Sequence, residues 1–244
     1  MKWIILCLAV LTATAAQARD LTIFAAASLK EPLDQLLLTR PGVVVSYGGS
    51  GTLAQQVIAG APADLVFLAH PDWMQAMEDA GVLTPGSLTD LLGNQIVLVA
   101  PGGTADVALT PAALDAALGP DGRLAIGMTA SVPAGIYGRE ALETLGLWDG
   151  VKDRLAEVDN VRAALTLTER GEVPLGLVYR TDARVTPNVS VVATFPEDSH
   201  APILYQAATV AGGDPAAADL LALLSSPEGQ AAFAAAGFVP LAVP

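Results

Sequence analysis

Short, almost unbroken apolar runs recur along this chain with room for about one helix between them, and that rhythm limits the fold more than any other feature. Leu21 to Ala26 (LTIFAA), Val43 to Tyr47 (VVVSY), Asp64 to Ala69 (DLVFLA), Ile96 to Ala100 (IVLVA), Leu124 to Gly127 (LAIG), Leu175 to Tyr179 (LGLVY), Val189 to Phe195 (VSVVATF) and Ile203 to Val210 (ILYQAATV) read as strands. Their continuity, in place of strict alternation, predicts strands covered on both faces in a parallel or mixed sheet. Helical patterns occupy Leu29 to Leu38, Thr52 to Ala59, Pro71 to Ala80, Ala134 to Leu145, Val161 to Arg170 and Ala216 to Ala235. Gly60, Gly81, Gly146 and Gly171 stand where helix C-terminal glycines belong. Strand, helix, strand in this order predicts an α/β fold.

The first 18 residues lie outside that pattern. Lys2, an apolar run from Trp3 to Ala13, and Ala16 and Ala18 around Gln17 have the order of a secretory signal peptide cleaved after Ala18. The predicted destination is the periplasm. Cys7, the single cysteine, falls inside the apolar run and not beside the cleavage point, so a lipid anchor is not expected. The full chain carries a net charge of −13, and losing Lys2 with the leader makes the remainder more negative. Such a surface repels nucleic acid and anionic membranes.

Punctuation suggests two lobes joined by two crossings. Pro101-Gly102-Gly103 and the stretch Phe195 to Ser199 mark loops nearly a hundred residues apart. The expected division is residues 19–92 with 200–244 in one lobe and 93–199 in the other.

In open α/β sheets ligands gather where strands end and helices begin. Five such junctions carry small or hydroxyl residues: Ala25-Ala26-Ala27-Ser28, Gly48-Gly49-Ser50-Gly51-Thr52, Ser131 to Gly135, Asp159-Asn160-Val161, and Tyr179 at a strand end. A helix start leaves about four N–H groups unpaired and carries roughly half a positive charge, so several starts aimed at one spot make an anion site. Taken singly, Ser28 and Ser50 also suit an N-cap, worth about 1 kcal/mol to each helix, and Tyr179 suits a half-buried aromatic position.

Catalytic and metal motifs do not fit. The turn lacks the second glycine of a nucleophile elbow, since Thr52 stands there, and no lysine follows to make a phosphate loop. His70 and His200 lie near Asp72 and Asp198 without a second histidine or cysteine at ligand spacing, and are expected on the surface or in loops. A secreted hydrolase using Ser28 or Ser50 would lack a histidine partner. Asp64 reads as structural. Arg162 is read either as lending charge to an anion or as pairing with a surface carboxylate.

The blocks FAAASL (Phe24 to Leu29), GTLAQQVIAGAPADLVFLA (Gly51 to Ala69), LLGNQIVLVAP (Leu91 to Pro101), VPAGIYGREALETLGLW (Val132 to Trp148), VRAALTLTERGEVPLGLVY (Val161 to Tyr179) and VVATFPEDSH (Val191 to His200) resemble, in order, the periplasmic molybdate-binding proteins of molybdate ABC transporters. The resemblance implies the two-lobe fold of type II solute-binding proteins, with mixed sheets flanked by helices and two crossover segments. It implies a protein that is not an enzyme, has no cofactor, and is a monomer delivering molybdate or tungstate to a membrane permease. By matching motifs, Ser28 and Ser50 donate through hydroxyl and amide, Ala134 and Val161 through their amides, and Tyr179 through its hydroxyl. Molybdenum would then be present only as the bound oxyanion. The chain departs from the family at Gly49 and Gly51, where serines are common, and at Gln206, where proline is common.

Such a site offers donors and no carboxylate. A phosphate that keeps its proton wants an acceptor, whereas molybdate, tungstate or sulfate wants donors only. A protein of the same fold for sulfate or another small anion is the alternative, and a carboxylate ligand would call for an arginine clamp.

Overall fold

The computed structural model describes residues 19–241; the predicted leader and its cleavage point lie outside them. The chain first lays down β1 (Leu21–Ala26), α1 (Lys30–Leu37), β2 (Val43–Gly48), α2 (Ser50–Ile58), β3 (Leu65–Leu68), α3 (Pro71–Asp79) and β4 (Thr89–Gly93). It then crosses to β5 (Ile96–Pro101), α4 (Pro111–Leu118), β6 (Leu124–Gly127), α5 (Pro133–Thr144), the single turn α6 (Trp148–Val151), β7 (Leu155–Val158), α7 (Val161–Glu169), β8 (Leu175–Tyr179), the single turn α8 (Arg180–Ala183) and β9 (Val189–Thr194). A second crossing returns it to β10 (Leu204–Thr209), α9 (Ala217–Ser225), α10 (Pro227–Ala236) and β11 (Val239–Pro240).

Two mixed sheets result. One has the order β11-β4-β10-β3-β1-β2 and the other β7-β6-β8-β5-β9. In the first, β2, β1 and β3 run parallel while β10 returns antiparallel to β3. In the second, β7, β6 and β8 are parallel and β5 is antiparallel to both β8 and β9.

The continuity of the apolar runs has a simple cause: both faces of the central strands are covered. On β1, Ile23 and Ala25 point into the core that also holds Leu33, Phe67 and Phe233, while Phe24 points to the opposite face with Leu53, Val57, Met74 and Met77 under α2 and α3. Fully burying a side chain such as Phe67 contributes about 1.5–3 kcal/mol.

The predicted strands form, with ends differing by a residue or so. Gly60, Gly81, Gly146 and Gly171 all have positive φ, as helix-terminating glycines require. The long helix expected over Ala216 to Ala235 is two helices. Ser226 precedes Pro227 and is extended (φ −69°, ψ 161°), because the proline ring disfavours helical backbone before it. Ser226 then caps α10 by accepting the Gly229 amide at 3.2 Å.

Asp64 is structural, as expected. Fully buried, it accepts the Thr22 and Asp214 amides, each at 2.8 Å, and pairs with the Arg19 guanidinium, tying the segment that leads into β1, the start of β3 and the approach to α9 together. No helix among the described residues is long and apolar enough to cross a membrane.

Candidate functional site

Ser28, Ser50, Ala134, Val161 and Tyr179 line one small cavity. Ser28 and Ser50 come from the lobe with the six-stranded sheet, and the other three from the lobe with the five-stranded sheet. All five are buried. No charged side chain and no histidine is among the residues lining the cavity.

Neither serine is an N-cap. Ser28 sits in a 3-10 turn, Ala27–Leu29, and Ser50 is the first residue of α2, whose N-cap is Gly49; neither helix start has a side-chain capping bond. Their hydroxyls are engaged differently. Ser50 Oγ accepts the Ala69 amide at 3.1 Å, which leaves its own proton for another acceptor. Ser28 Oγ lies 2.8 Å from the hydroxyl of Tyr205.

That second bond belongs to a longer chain of polar groups. The Gln95 amide donates to Asn94 Oδ1 at 2.9 Å, which fixes the Asn94 side-chain amide. Asn94 Nδ2 therefore donates, to Thr181 Oγ1 at 2.9 Å and to the Tyr205 hydroxyl at 3.2 Å. The 2.8 Å contact between Tyr205 and Ser28 allows either hydroxyl to donate; with the Tyr205 oxygen already accepting from Asn94, its proton can go to Ser28 Oγ, which frees the Ser28 proton for a guest. Asn94 lies on the first crossing, so this chain of donors joins the hinge region to the cavity. Tyr205 and Asn94 were not singled out in the sequence; each looked like an ordinary residue of a strand or a turn.

The two helix starts of the second lobe present bare amides. In α5 the Val132 carbonyl accepts both the Gly135 and Ile136 amides, at 2.8 and 2.9 Å, and Pro133 has no N–H, so Ala134 carries the donor left over in the first turn. In α7 the Asn160 side chain caps the Ala163 amide at 3.0 Å and leaves Val161, at the first helical position, uncapped. Tyr179 ends β8, and its buried hydroxyl has no hydrogen-bond partner among the described residues. Burial holds its pKa far above the ordinary phenol value, so it is a neutral donor. A buried hydroxyl without a partner costs about 1–3 kcal/mol, which a guest would recover.

Arg162 does not line the cavity. It pairs with two carboxylates: Nε donates to buried Asp182 at 2.6 Å, and the guanidinium reaches Glu31 at 2.5 and 2.9 Å. Burial pushes the Asp182 carboxyl up to about 6 against the pull of Arg162. Burial also lowers the Arg162 pKa, but Asp182 and Glu31 outweigh it and the guanidinium ends above its ordinary value.

Of the two expected placements, surface or loop, His70 has the second: it lies in the loop between β3 and α3, yet is only 6% exposed, at the N-cap of α3, where Nδ1 accepts the Asp72 amide at 3.2 Å. Its ring lies against Tyr137 of the other lobe, tilted by 34° with centroids 4.8 Å apart. Burial lowers its pKa, with Asp72 and Glu140 pulling the other way. The residue looked exposed because its neighbours Pro71 and Asp72 are loop-type; the contact with Tyr137 comes from lobe packing, which local sequence does not encode.

Residues 21–239 match the family model for bacterial extracellular solute-binding proteins. The chain is 40% identical over 236 residues to the molybdate-binding protein ModA of Haemophilus influenzae, covering 91% of each, and 43% identical over 199 residues to that of Escherichia coli, covering 79% of this chain and 77% of the relative. Among solved structures, the periplasmic molybdate-binding protein of Azotobacter vinelandii superposes with a TM-score of 0.77 at 26% identity, over 90% of this chain and 99% of that one. The chain therefore belongs to the bacterial extracellular solute-binding proteins, within the ModA family.

Proposed function

We propose that this protein captures molybdate, and tungstate with it, between its two lobes and hands it to the membrane permease of an ABC transporter. The observation that carries the reading is a buried cavity ringed by neutral donors from both lobes, with no charged side chain on its wall. The relatives named for molybdate binding support the choice of guest. The roles are binding roles: hydroxyls of Ser28, Ser50 and Tyr179, and amides of Ala134 and Val161.

A hydrogen bond to an ion contributes about 1.5–3 kcal/mol. Five of them, less the costs of association and closure, are compatible with sub-micromolar affinity, about −8 kcal/mol or better. Residues 19–92 with 200–244 form one lobe in this reading and 93–199 the other. Because the donors are split between lobes, the anion is fully bonded only in the closed form and shifts the population toward it. The permease then reads the closed surface. The protein works as an exported monomer, its leader removed after Ala18, and does no chemistry on its cargo.

Isothermal titration with molybdate, tungstate, sulfate and phosphate tests the reading. Molybdate and tungstate should bind sub-micromolar, sulfate at least 100-fold more weakly and phosphate not measurably. Equal affinity for sulfate and molybdate would replace this reading with that of a general dianion carrier.

A further inference from the structure

We infer that Asn94 is a positioning residue that sets the spacing between the Ser28 and Tyr179 hydroxyls, two donors carried by different lobes; this rests on the binding function proposed above. Asn94 follows Gly93, the last residue of β4, and on sequence alone suits a turn. One of its bonds fits that local role. Oδ1 accepts the amide of the next residue, Gln95, at 2.9 Å.

The other two bonds do nothing for the turn. Nδ2 gives one proton to Thr181 Oγ1 at 2.9 Å, 87 residues away, and the other to the Tyr205 hydroxyl at 3.2 Å, 111 residues away. Thr181 lies in α8, directly after β8 of the five-stranded sheet, and Tyr205 on β10 of the six-stranded sheet. Both acceptors are buried. One amide thus holds a residue of each lobe, and the bond to Gln95 fixes which way that amide faces.

Each of these residues is one step from a cavity donor. The Tyr205 hydroxyl lies 2.8 Å from Ser28 Oγ. Thr181 stands two residues past Tyr179, and the crossing holds the segment between them as well: the Arg180 amide donates to the Gln95 carbonyl at 2.7 Å, Arg180 Nε donates to Gln95 Oε1 at 2.7 Å, and Ile96 pairs with Tyr179 in the sheet. Gln95 and Ile96 grip the Tyr179 end; Asn94 extends that grip to Ser28. A tetrahedral guest accepts from both hydroxyls only when their separation fits two of its oxygens, because hydrogen bonds weaken steeply with distance and angle. A spacing fixed before the guest arrives lowers the ordering cost of binding it.

The test is a set of double-mutant cycles on molybdate affinity, read by isothermal titration. Asn94→Leu keeps the bulk of the side chain and removes both donors; it should weaken molybdate binding about tenfold. A spacer matters only while both of its ends are present, so in a Ser28→Ala background, and separately in a Tyr179→Phe background, the same substitution should weaken binding by no more than about threefold. An undiminished loss in Tyr179→Phe would overturn the inference by showing that Asn94 acts on Ser28 alone. An undiminished loss in both backgrounds would overturn it by showing that Asn94 only stabilises the crossing, and so would an Asn94→Leu affinity within about twofold of wild type. Thr181→Val takes away one acceptor, leaves the Tyr205 contact with Ser28 in place, and carries the same cycles should anion-free urea melts show Asn94→Leu unfolded. It should weaken binding about threefold in the wild type and less than about twofold in either background, and a loss of equal size in all three would overturn the inference. A wild type that binds neither molybdate nor tungstate would overturn the functional reading instead, and that result appears before any substitution.

Discussion

Arg162 of one lobe reaches Glu31 of the other with two guanidinium nitrogens, while its Nε stays on buried Asp182 and one of the same two nitrogens touches the Ser28 carbonyl at 3.3 Å. The closed cleft is therefore fastened by an ion pair beside, and not within, the cavity. Glu31 is half exposed, so its share is small and acts on closure alone. Glu31→Gln should leave the anion-free melting temperature unchanged and raise the molybdate dissociation rate a few-fold, as read by stopped flow.

Arg162→Leu should behave differently, because it strands Asp182 inside the lobe. Losing one partner of a buried pair costs about 3–5 kcal/mol. The penalty belongs to the ionised carboxylate, whose pKa already stands near 6 with the arginine present. As pH falls, Asp182 takes a proton and the penalty shrinks. Denaturant melts at pH 7.5 and 5.0 should show the variant's deficit relative to wild type becoming smaller at the lower pH; an equal deficit at both would refute the buried-charge account.

Tyr179→Phe separates binding from stability. The hydroxyl is buried with no partner among the described residues, so removing it should leave the anion-free protein as stable as wild type or more so by about 1 kcal/mol. Molybdate affinity should fall by about 1–3 kcal/mol. Calorimetry and urea melts together check both signs.

Ser50→Ala and Tyr205→Phe probe the two serine donors. The first removes a donor directly and should also weaken anion binding by about 1–3 kcal/mol. The second leaves the Ser28 hydroxyl in place but takes away the group that orients it. Its loss in affinity should be smaller, and it should vanish in a Ser28→Ala background, a non-additivity that a double-mutant cycle measures.

The buried His70 predicts a pH dependence of stability. Its folded pKa is depressed below 6.5, so between the folded value and 6.5 the unfolded chain binds the extra proton. Stability from this residue is therefore full above pH 6.5 and is lost as pH falls below it. Protonation at Nδ1 also abolishes the cap on the Asp72 amide. His70→Asn should flatten the change in melting temperature between pH 7.5 and 5.5.

What the sequence made legible was decided by how local its cause is. Strands buried on both faces, such as β3 and β8, announce themselves as apolar runs. The strands β4 (TDLLG) and β7 (LAEV) were missed, being short and partly exposed, and owing their pairing to partners distant in sequence. The five cavity residues stood out because each sits where a strand ends or a helix begins. That Ser28 and Ser50 do not cap their helices, and that Tyr205 serves Ser28, depends on contacts spanning up to 177 residues. Gln206 shows the same limit: its Nε2 donates to Asp90 at 2.5 Å across β10 and β4, beside a register shift that its sequence does not foretell.

The central claim is that an acidic protein cages a doubly charged tetrahedral oxyanion with neutral dipoles alone. Crystals grown with molybdate, measured at the molybdenum absorption edge, test it most directly. The account predicts one anomalous peak inside the ring of Ser28, Ser50, Ala134, Val161 and Tyr179, its oxygens within about 3.2 Å of those hydroxyls and amides and no arginine or lysine in contact. A peak beside Arg162 or another cation, with the ring left to water, would contradict it.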